Sequence, residues 1–187
     1  QEDIIVGTPI VGRDKAETYN YIGMFVNTLA LRNTLDSNIM FSKFLTSIKT
    51  NMLNAYKYQT YPFDELIKKL NISRDISRNP LFDTMFIYQN NGFNPPNFKD
   101  IQTELYVPDT NISKFDLSLE AIPMNNGINL SFEFSTSLFN KDFIKQMSKH
   151  YINIINTVLD NLDIKIKNID ILSEDEKNKI LFEFNKR

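Results

Sequence analysis

The stretch that most restricts the fold lies between Lys114 and Phe134. In "KFDLSLEAIP", Phe115, Leu117, Leu119 and Ala121 alternate with Asp116, Ser118 and Glu120. "INLSFEF" alternates too, with Ile128, Leu130, Phe132 and Phe134 on one side. Strand side chains point to opposite faces in turn, so each run has one apolar and one polar face. "NNG" between the runs is a hairpin turn sequence. An odd loop would oppose apolar to polar side chains, so an even loop is expected. It sets Leu119 opposite Phe134, Ala121 opposite Phe132 and Glu120 opposite Glu133.

The rest of the chain must supply partners for that hairpin. Ile4 to Val11 reads as a buried strand broken by Gly7 and Pro9, after which Gly12 and Arg13 open a polar loop. "IGMFVNTLALR", Ile22 to Arg32, reads as a second strand. Asp36 and Ser37 are good N-caps for a long helix whose apolar face is Phe41, Phe44, Leu45, Ile48, Met52 and Tyr56. Pro62 opens a short helix, "PFDELIKKL", at the first-turn position that tolerates proline. "LFDTMFIYQ" is a strand, and "NNGFNPPNFKD", Asn90 to Asp100, is a loop. A second long helix runs from Asn140, with Phe143, Met147, Ile154 and Val158 on one stripe. "IKNIDIL" is a short strand, and Ser173 with Glu176 has capping-box spacing. This order predicts an α/β (α+β) fold: a mixed, mostly antiparallel sheet with two long helices.

Composition removes several functions. The 187 residues suit one domain or one large lobe of something bigger. With 42% apolar residues and 15 phenylalanines the chain builds a core rather than staying disordered. A formal charge of −2 gives no basic field for nucleic acid or anionic lipid. Zero cysteines exclude a disulfide scaffold and a cysteine zinc site, in agreement with a cytoplasmic location. No apolar run approaches the roughly 20 residues needed to cross a bilayer. The acidic start has no signal-peptide order and reads as mid-protein, so the chain is expected to be an excised fragment.

Few residues suggest chemistry. There is no phosphate-binding glycine loop, no G-x-S-x-G and no H-E-x-x-H. His150, the only histidine, reads as a side chain at the boundary of its helix stripe; as a base it would be isolated. Glu120 and Glu133 resemble an acid/base pair but read as a solvated outer face. Tyr61 and Phe63 read as residues stapled to the core at a helix start. In "SRDISRNPLF", Arg74, Asp75, Arg78 and Asn79 form either a loop held by ion pairs and side-chain-to-backbone bonds or a polar surface for an anionic partner group.

Three stretches in order carry a resemblance: "IGMFVNTLALR", "YQTYPFDEL" and "RDISRNPLF". They resemble the last three core motifs of condensation domains of nonribosomal peptide synthetases. "DIIVGTPIVGRDKAE", "KFDLSLEA" and "LSFEFSTSLFN" resemble the flanks, and "LSEDEKNKILFEFN" resembles the linker into an adenylation domain. Two departures stand out. The catalytic H-H-x-x-x-D-G of the family is missing, and Gln59-Thr60 stands where the family usually has Gln-Asp before Tyr-Pro-Phe. The chain therefore resembles the C-terminal lobe alone, residues 1–172, with 173–187 as the start of the linker.

The resemblance implies a chloramphenicol-acetyltransferase-like lobe that forms one wall and the floor of a tunnel. There an amine on one carrier protein attacks a thioester on another, both substrates riding on phosphopantetheine arms. It implies no cofactor or metal on this chain and no catalytic residue within it. Its implied partners are the missing N-terminal lobe, upstream and downstream carrier proteins and an adenylation domain. Gly23, Phe25, Asn27 and Thr28 are the implied tunnel and floor residues. Arg32, Tyr61, Pro62, Phe63, Arg74, Asp75, Arg78, Asn79 and Pro80 are the implied structural motif residues. Read without the resemblance, Asn27 and Thr28 equally cap backbone groups at a strand end. The Met24–Thr28 pattern departs from epimerization and heterocyclization types, which favours ordinary condensation. The competing classes are a non-catalytic carrier-docking module and a free-standing acyltransferase using His150.

Overall fold

The structure, a computed structural model, describes residues 2–13, 15–73, 75, 78–89, 101 and 111–183. Arg74 and the expected loop at 90–100 lie outside them. The chain divides into two compact units: Gln1–Ile4 with Leu31–Tyr58 and Phe139–Arg187, and Ile5–Ala30 with Gln59–Leu138.

The unit built from 5–30 and 59–138 is centred on a sheet. The strands are β1 (Asp3–Ile10) and β2 (Asn27–Thr34), of which residues 3–4 and 31–34 fall in the other unit, with β3 (Thr84–Tyr88), β4 (Leu117–Met124) and β5 (Gly127–Phe134). They lie in the order β2-β1-β3-β4-β5. β1 pairs parallel with β3, and β3 parallel with β4, while β4 and β5 form the expected antiparallel hairpin. The sheet is thus mixed, as expected, but its centre is parallel. Hairpin patterns report only on neighbours in sequence, whereas parallel neighbours need a long connection, here from 89 to 116.

The hairpin keeps its faces and moves its register by two residues. Leu117 faces Phe134, Leu119 faces Phe132 and Ala121 faces Leu130, because Met124 and Gly127 close directly around Asn125 and Asn126. Glu120 therefore faces Ser131, and Glu133 faces Ser118. Ser118, expected outward, is buried, while Ile128, expected inward, is exposed. β4 lies between two strands, so even its polar face is partly covered.

Ile10, Leu29, Ile67, Phe82, Met85, Leu119 and Ala121 form this unit's buried core. The Phe82 ring lies directly over Gly7, where a Cβ would collide with it. β1 accordingly continues through Gly7 and Pro9 instead of breaking there. β2 starts only at Asn27, and Ile22, Met24 and Val26 are exposed. β3 starts at Thr84, leaving Leu81 and Phe82 before it. The helix α2 (Phe63–Lys69) takes Pro62 as its N-cap rather than its first helical residue.

The other unit carries the long helices α1 (Phe41–Lys57) and α3 (Lys141–Asp160), and α4 (Glu174–Asn178) continued by a π-helical turn over Lys179–Glu183. Asp36 and Ser37 do not cap α1, whose N-cap is Met40. Instead Phe41 N–H donates to the Ile164 carbonyl at 2.9 Å and Ser42 N–H to that of Leu162 at 2.8 Å. The orphan donors of the first turn are thus met from a distant segment, and Asp36 accepts from Asn38 N–H in a local turn. The same segment explains the missing "IKNIDIL" strand. Only Met40 and Lys165 bridge, and Ile166–Asn168 is a 3-10 turn. α3 begins as expected, with Asn140 accepting from Phe143 N–H at 2.7 Å. Its buried positions are Ile144 and Val158; Phe143 is exposed. No helix among the described residues is long and apolar enough to cross a membrane.

Gly7→Ala places a methyl group against the Phe82 ring. We expect it to lower the free energy of unfolding by about 1–3 kcal/mol, as overpacking does. Chemical denaturation measures this, and an unchanged midpoint would contradict the packing described.

Candidate functional site

Asn27 opens β2 and sits at the centre of the first two motif stretches. Its amide nitrogen donates to the carbonyls of Gln59 and Tyr61, each at 2.8 Å. Its amide oxygen accepts from Phe63 N–H at 3.4 Å. Phe63 is the first residue of α2, so its N–H has no partner inside the helix. Pro62, the N-cap, has no side-chain oxygen to offer, and Asn27 takes that role across the fold. Asn27 thus spends its amide on the main chain of a turn 32 to 36 residues away.

The turn so held sets an aromatic row. Phe63 packs on Phe82 with ring centroids 5.7 Å apart, and Phe82 on Phe115 at 5.7 Å. Phe63 is stapled to the core as expected, but Tyr61 is exposed. Departure at Gln59-Thr60 has left Tyr61, Pro62 and Phe63 in one turn, since the contact made there by Gln59 uses its main chain.

The third motif lies in the same unit. Arg78 pairs with Asp83, and Asp83, Asp116 and Asp75 together hold the guanidinium in its charged form. Arg78 N–H donates to the Asp75 carbonyl at 3.3 Å, and the Asn79 amide to the Lys114 carbonyl at 3.4 Å. One ion pair and two bonds to main chain thus brace the described part of this loop. Pro80 is half-buried beside them in sequence.

Ahead of Asn27, the loop from Gly12 to Val26 presents Tyr19, Tyr21, Ile22, Met24 and Val26 to solvent, with Ile22 106% and Met24 89% exposed. Gly23 is exposed, and Phe25 and Thr28 are half-buried. The Arg13 guanidinium lies over the Phe25 ring, 4.1 Å from its centroid. Arg13, which with Gly12 opens the expected polar loop, is drawn back into it by this contact.

Arg32 and His150 belong to the other unit. Arg32 forks onto Asp3, with Nε 2.9 Å from Oδ1 and an Nη 2.8 Å from Oδ2. This partner lies 29 residues away in the chain. The pair is exposed, and Asp3 is held below the usual carboxylate range by its hydrogen bond to Arg32. His150 Nε2 lies 2.9 Å from Glu176 Oε1, which also accepts from Gln146 at 2.6 Å. Glu176 Oε2 accepts from Ser173 N–H at 2.7 Å, while Glu176 N–H donates to Ser173 Oγ, completing the expected capping box. His150 is thus a boundary side chain that fastens α4 to α3 through the Glu176 carboxylate. Glu120 likewise has no carboxylate opposite and accepts from the Gln89 amide at 3.1 Å.

A model of the condensation domain matches residues 1–181. The chain belongs to the condensation domain family. Gramicidin S synthase 2 of Brevibacillus brevis is 48% identical over 185 residues, which are 99% of this chain and 4% of that protein. Bacitracin synthase 1 of Bacillus licheniformis is 44% identical over 186 residues, 100% of this chain and 4% of that protein. The fold also matches a four-domain nonribosomal peptide synthetase solved with AMP and glycine, with a TM-score of 0.84 at 19% identity, covering 95% of this chain and 15% of that one. The chain therefore spans about 4% of the length of these curated relatives. The likeness of fold agrees with the acetyltransferase-like lobe expected from the motifs.

Two outcomes test this geometry. Asn27→Asp replaces two donors with a charge facing two carbonyls. It should cost at least the roughly 1–3 kcal/mol of unmet polar groups and speed amide exchange at Phe63; unchanged exchange there would contradict the strut. Glu176 carries the second. Its bonds to Ser173, first the backbone and then the hydroxyl, with those to His150 and Gln146, lower its carboxyl from 4.5 to about 2. A lowered carboxyl stabilises the fold above its unfolded value and ceases to as it protonates. The fastening of α4 is therefore complete above pH 4.5 and lost as the pH falls toward about 2. Carbon-detected NMR of Glu176 should show the low midpoint, and Ser173→Ala should raise it.

Proposed function

We propose that this chain is the C-terminal lobe of a condensation domain that joins carrier-bound aminoacyl or peptidyl thioesters during nonribosomal peptide synthesis. Residues 1–172 form the lobe, and 173–187 begin the linker toward an adenylation domain. The observation that carries the reading is the match over residues 1–181, together with the organisation of all three motif stretches around braced turns. In the reaction the acceptor amine attacks the donor thioester carbonyl, the carbon–sulfur bond breaks, and a carrier thiol leaves. The substrates arrive on the phosphopantetheine arms of carrier proteins, in the cytoplasm. Gly23, Phe25, Asn27 and Thr28 line this lobe's side of the tunnel. Asn27 acts there through the 59–63 turn it holds.

The exposed strip Tyr19, Tyr21, Ile22, Met24 and Val26 supports the reading. Exposed large apolar side chains grouped in one segment are the kind of surface that interdomain contacts cover. The occupant we assign to it is the N-terminal lobe.

This chain alone should form no peptide bond. Holding both reactants in line is worth about 7–11 kcal/mol, and a positioned general base adds roughly 10²–10⁴-fold. The histidine-rich signature that supplies such a base in the family has no counterpart here, since His150 is the sole histidine. The test mixes the chain with donor and acceptor carriers loaded with aminoacyl groups and reads dipeptidyl thioester by mass spectrometry. No product alone, and product once the upstream lobe is joined, is the expected result. Product from the chain alone that is lost in His150→Ala would overturn the reading in favour of a free-standing acyltransferase.

A further inference from the structure

The loop between Gly12 and Val26 combines two properties that rarely coexist. It exposes Tyr19, Tyr21, Ile22 and Met24 to solvent, so little apolar packing lies beneath it. Yet its path is closely determined. At its neck Gly12 takes φ +66, a left-handed conformation that favours glycine. A Cβ on Gly12 would also strike the Phe25 carbonyl oxygen, so the two ends of the loop touch there.

Arg13 fills the interior that apolar side chains leave empty. One guanidinium nitrogen donates to the Thr18 carbonyl, and the other donates to the Tyr21 carbonyl at 3.0 Å. The plane of the same group covers the Phe25 ring at 4.1 Å. Thr18 is itself fixed, its N–H and hydroxyl both donating to the Lys15 carbonyl, at 2.9 and 2.6 Å. A single planar cation thus joins three points of the loop: the 3-10 turn Ala16–Asn20, the residue after it, and the last aromatic before Asn27. Charge-assisted donors and cation–π contact are among the stronger polar contacts open to a half-buried side chain.

Resting on the reading of this chain as half of an acyl-transfer site, we propose that Arg13 is a positioning residue for that site. It holds Phe25 and the Tyr21–Met24 strip in the one arrangement that forms the tunnel wall and meets the N-terminal lobe. Arg13 touches no reacting atom in this role and acts through the loop. The fork is required: lysine presents a compact ammonium that neither spans two carbonyls in one plane nor stacks on a ring.

The test uses the two-lobed condensation domain and the variants Arg13→Ala, Arg13→Lys and Phe25→Leu. Both arginine variants should keep wild-type amide exchange at Met85 and Leu119 in the sheet while exchange from Thr18 to Phe25 accelerates. Their kcat for dipeptidyl thioester formation should fall on the order of 10²-fold, the size expected of a misplaced group, with KM for the donor carrier changing less. Lysine should not rescue. Phe25→Leu, which keeps both carbonyl bonds, should lose less and remains informative if an arginine variant fails to fold. Unchanged exchange in the loop, unchanged kcat, or rescue of both by lysine would overturn the proposal. A wild-type domain that makes no dipeptide would instead overturn the acyl-transfer reading. Loop exchange in the same samples still decides the role of Arg13, accelerated exchange supporting it and unchanged exchange overturning it.

Discussion

One primary amide organises the sheet-bearing unit. Asn27 uses both its donor and its acceptor functions on main chain, bonding Gln59, Tyr61 and Phe63. The arrangement solves a local problem. α2 begins after a proline that can neither donate a backbone N–H nor accept through its side chain, so the first turn needs an acceptor from elsewhere. By fixing Phe63, Asn27 also fixes where that ring meets Phe82. Phe82 in turn occupies the space that the absent side chain of Gly7 leaves open in β1. A hydrogen-bonded strut and an aromatic row therefore connect the start of β2, the entry to α2 and the middle of β1.

The charged pairs contribute geometry more than stability. Arg32–Asp3 and Arg78–Asp83 are largely exposed, and water and salt screen such pairs so that they add little to stability. Their forked contacts orient backbone: Arg32 beside the opening residues of β1, Arg78 along the approach to β3. Glu176 differs in kind, because four donors from Ser173, Gln146 and His150 converge on one carboxylate. That convergence joins the last described helical segment to α3. His150 contributes one of these contacts, a structural use for a residue that chemistry alone would single out.

Legibility in the sequence followed the range of the interaction. The Asn140 cap, the Ser173–Glu176 capping box and the hairpin turn at Asn125 and Asn126 depend on residues within a few positions of each other, and these held in the structure. The register of the hairpin did not, because alternation specifies a face and leaves shifts of two residues equivalent. Turn closure around Asn125 and Asn126 chose among them. The β2 boundary was misplaced for a related reason. Apolar character in Ile22, Met24 and Val26 resembles a buried strand, and nothing local distinguishes it from an exposed strip.

The sequence by itself determined the family, through three short motifs in order, and the class of fold, through two periodicities that switch along the chain. Only the tertiary structure decided which distant groups meet. Phe41 and Ser42 take their partners from Ile164 and Leu162, so good N-caps at Asp36 and Ser37 stand unused. Parallel pairing of β1, β3 and β4 leaves no mark in alternation, because its strands are far apart in the chain. Asn27 was conspicuous as a polar residue in an apolar run, while its partners, 32 to 36 residues away, were not. The physical reason is common to all three: a side chain's type and spacing declare what bonds it needs, and only folding supplies the group that meets them.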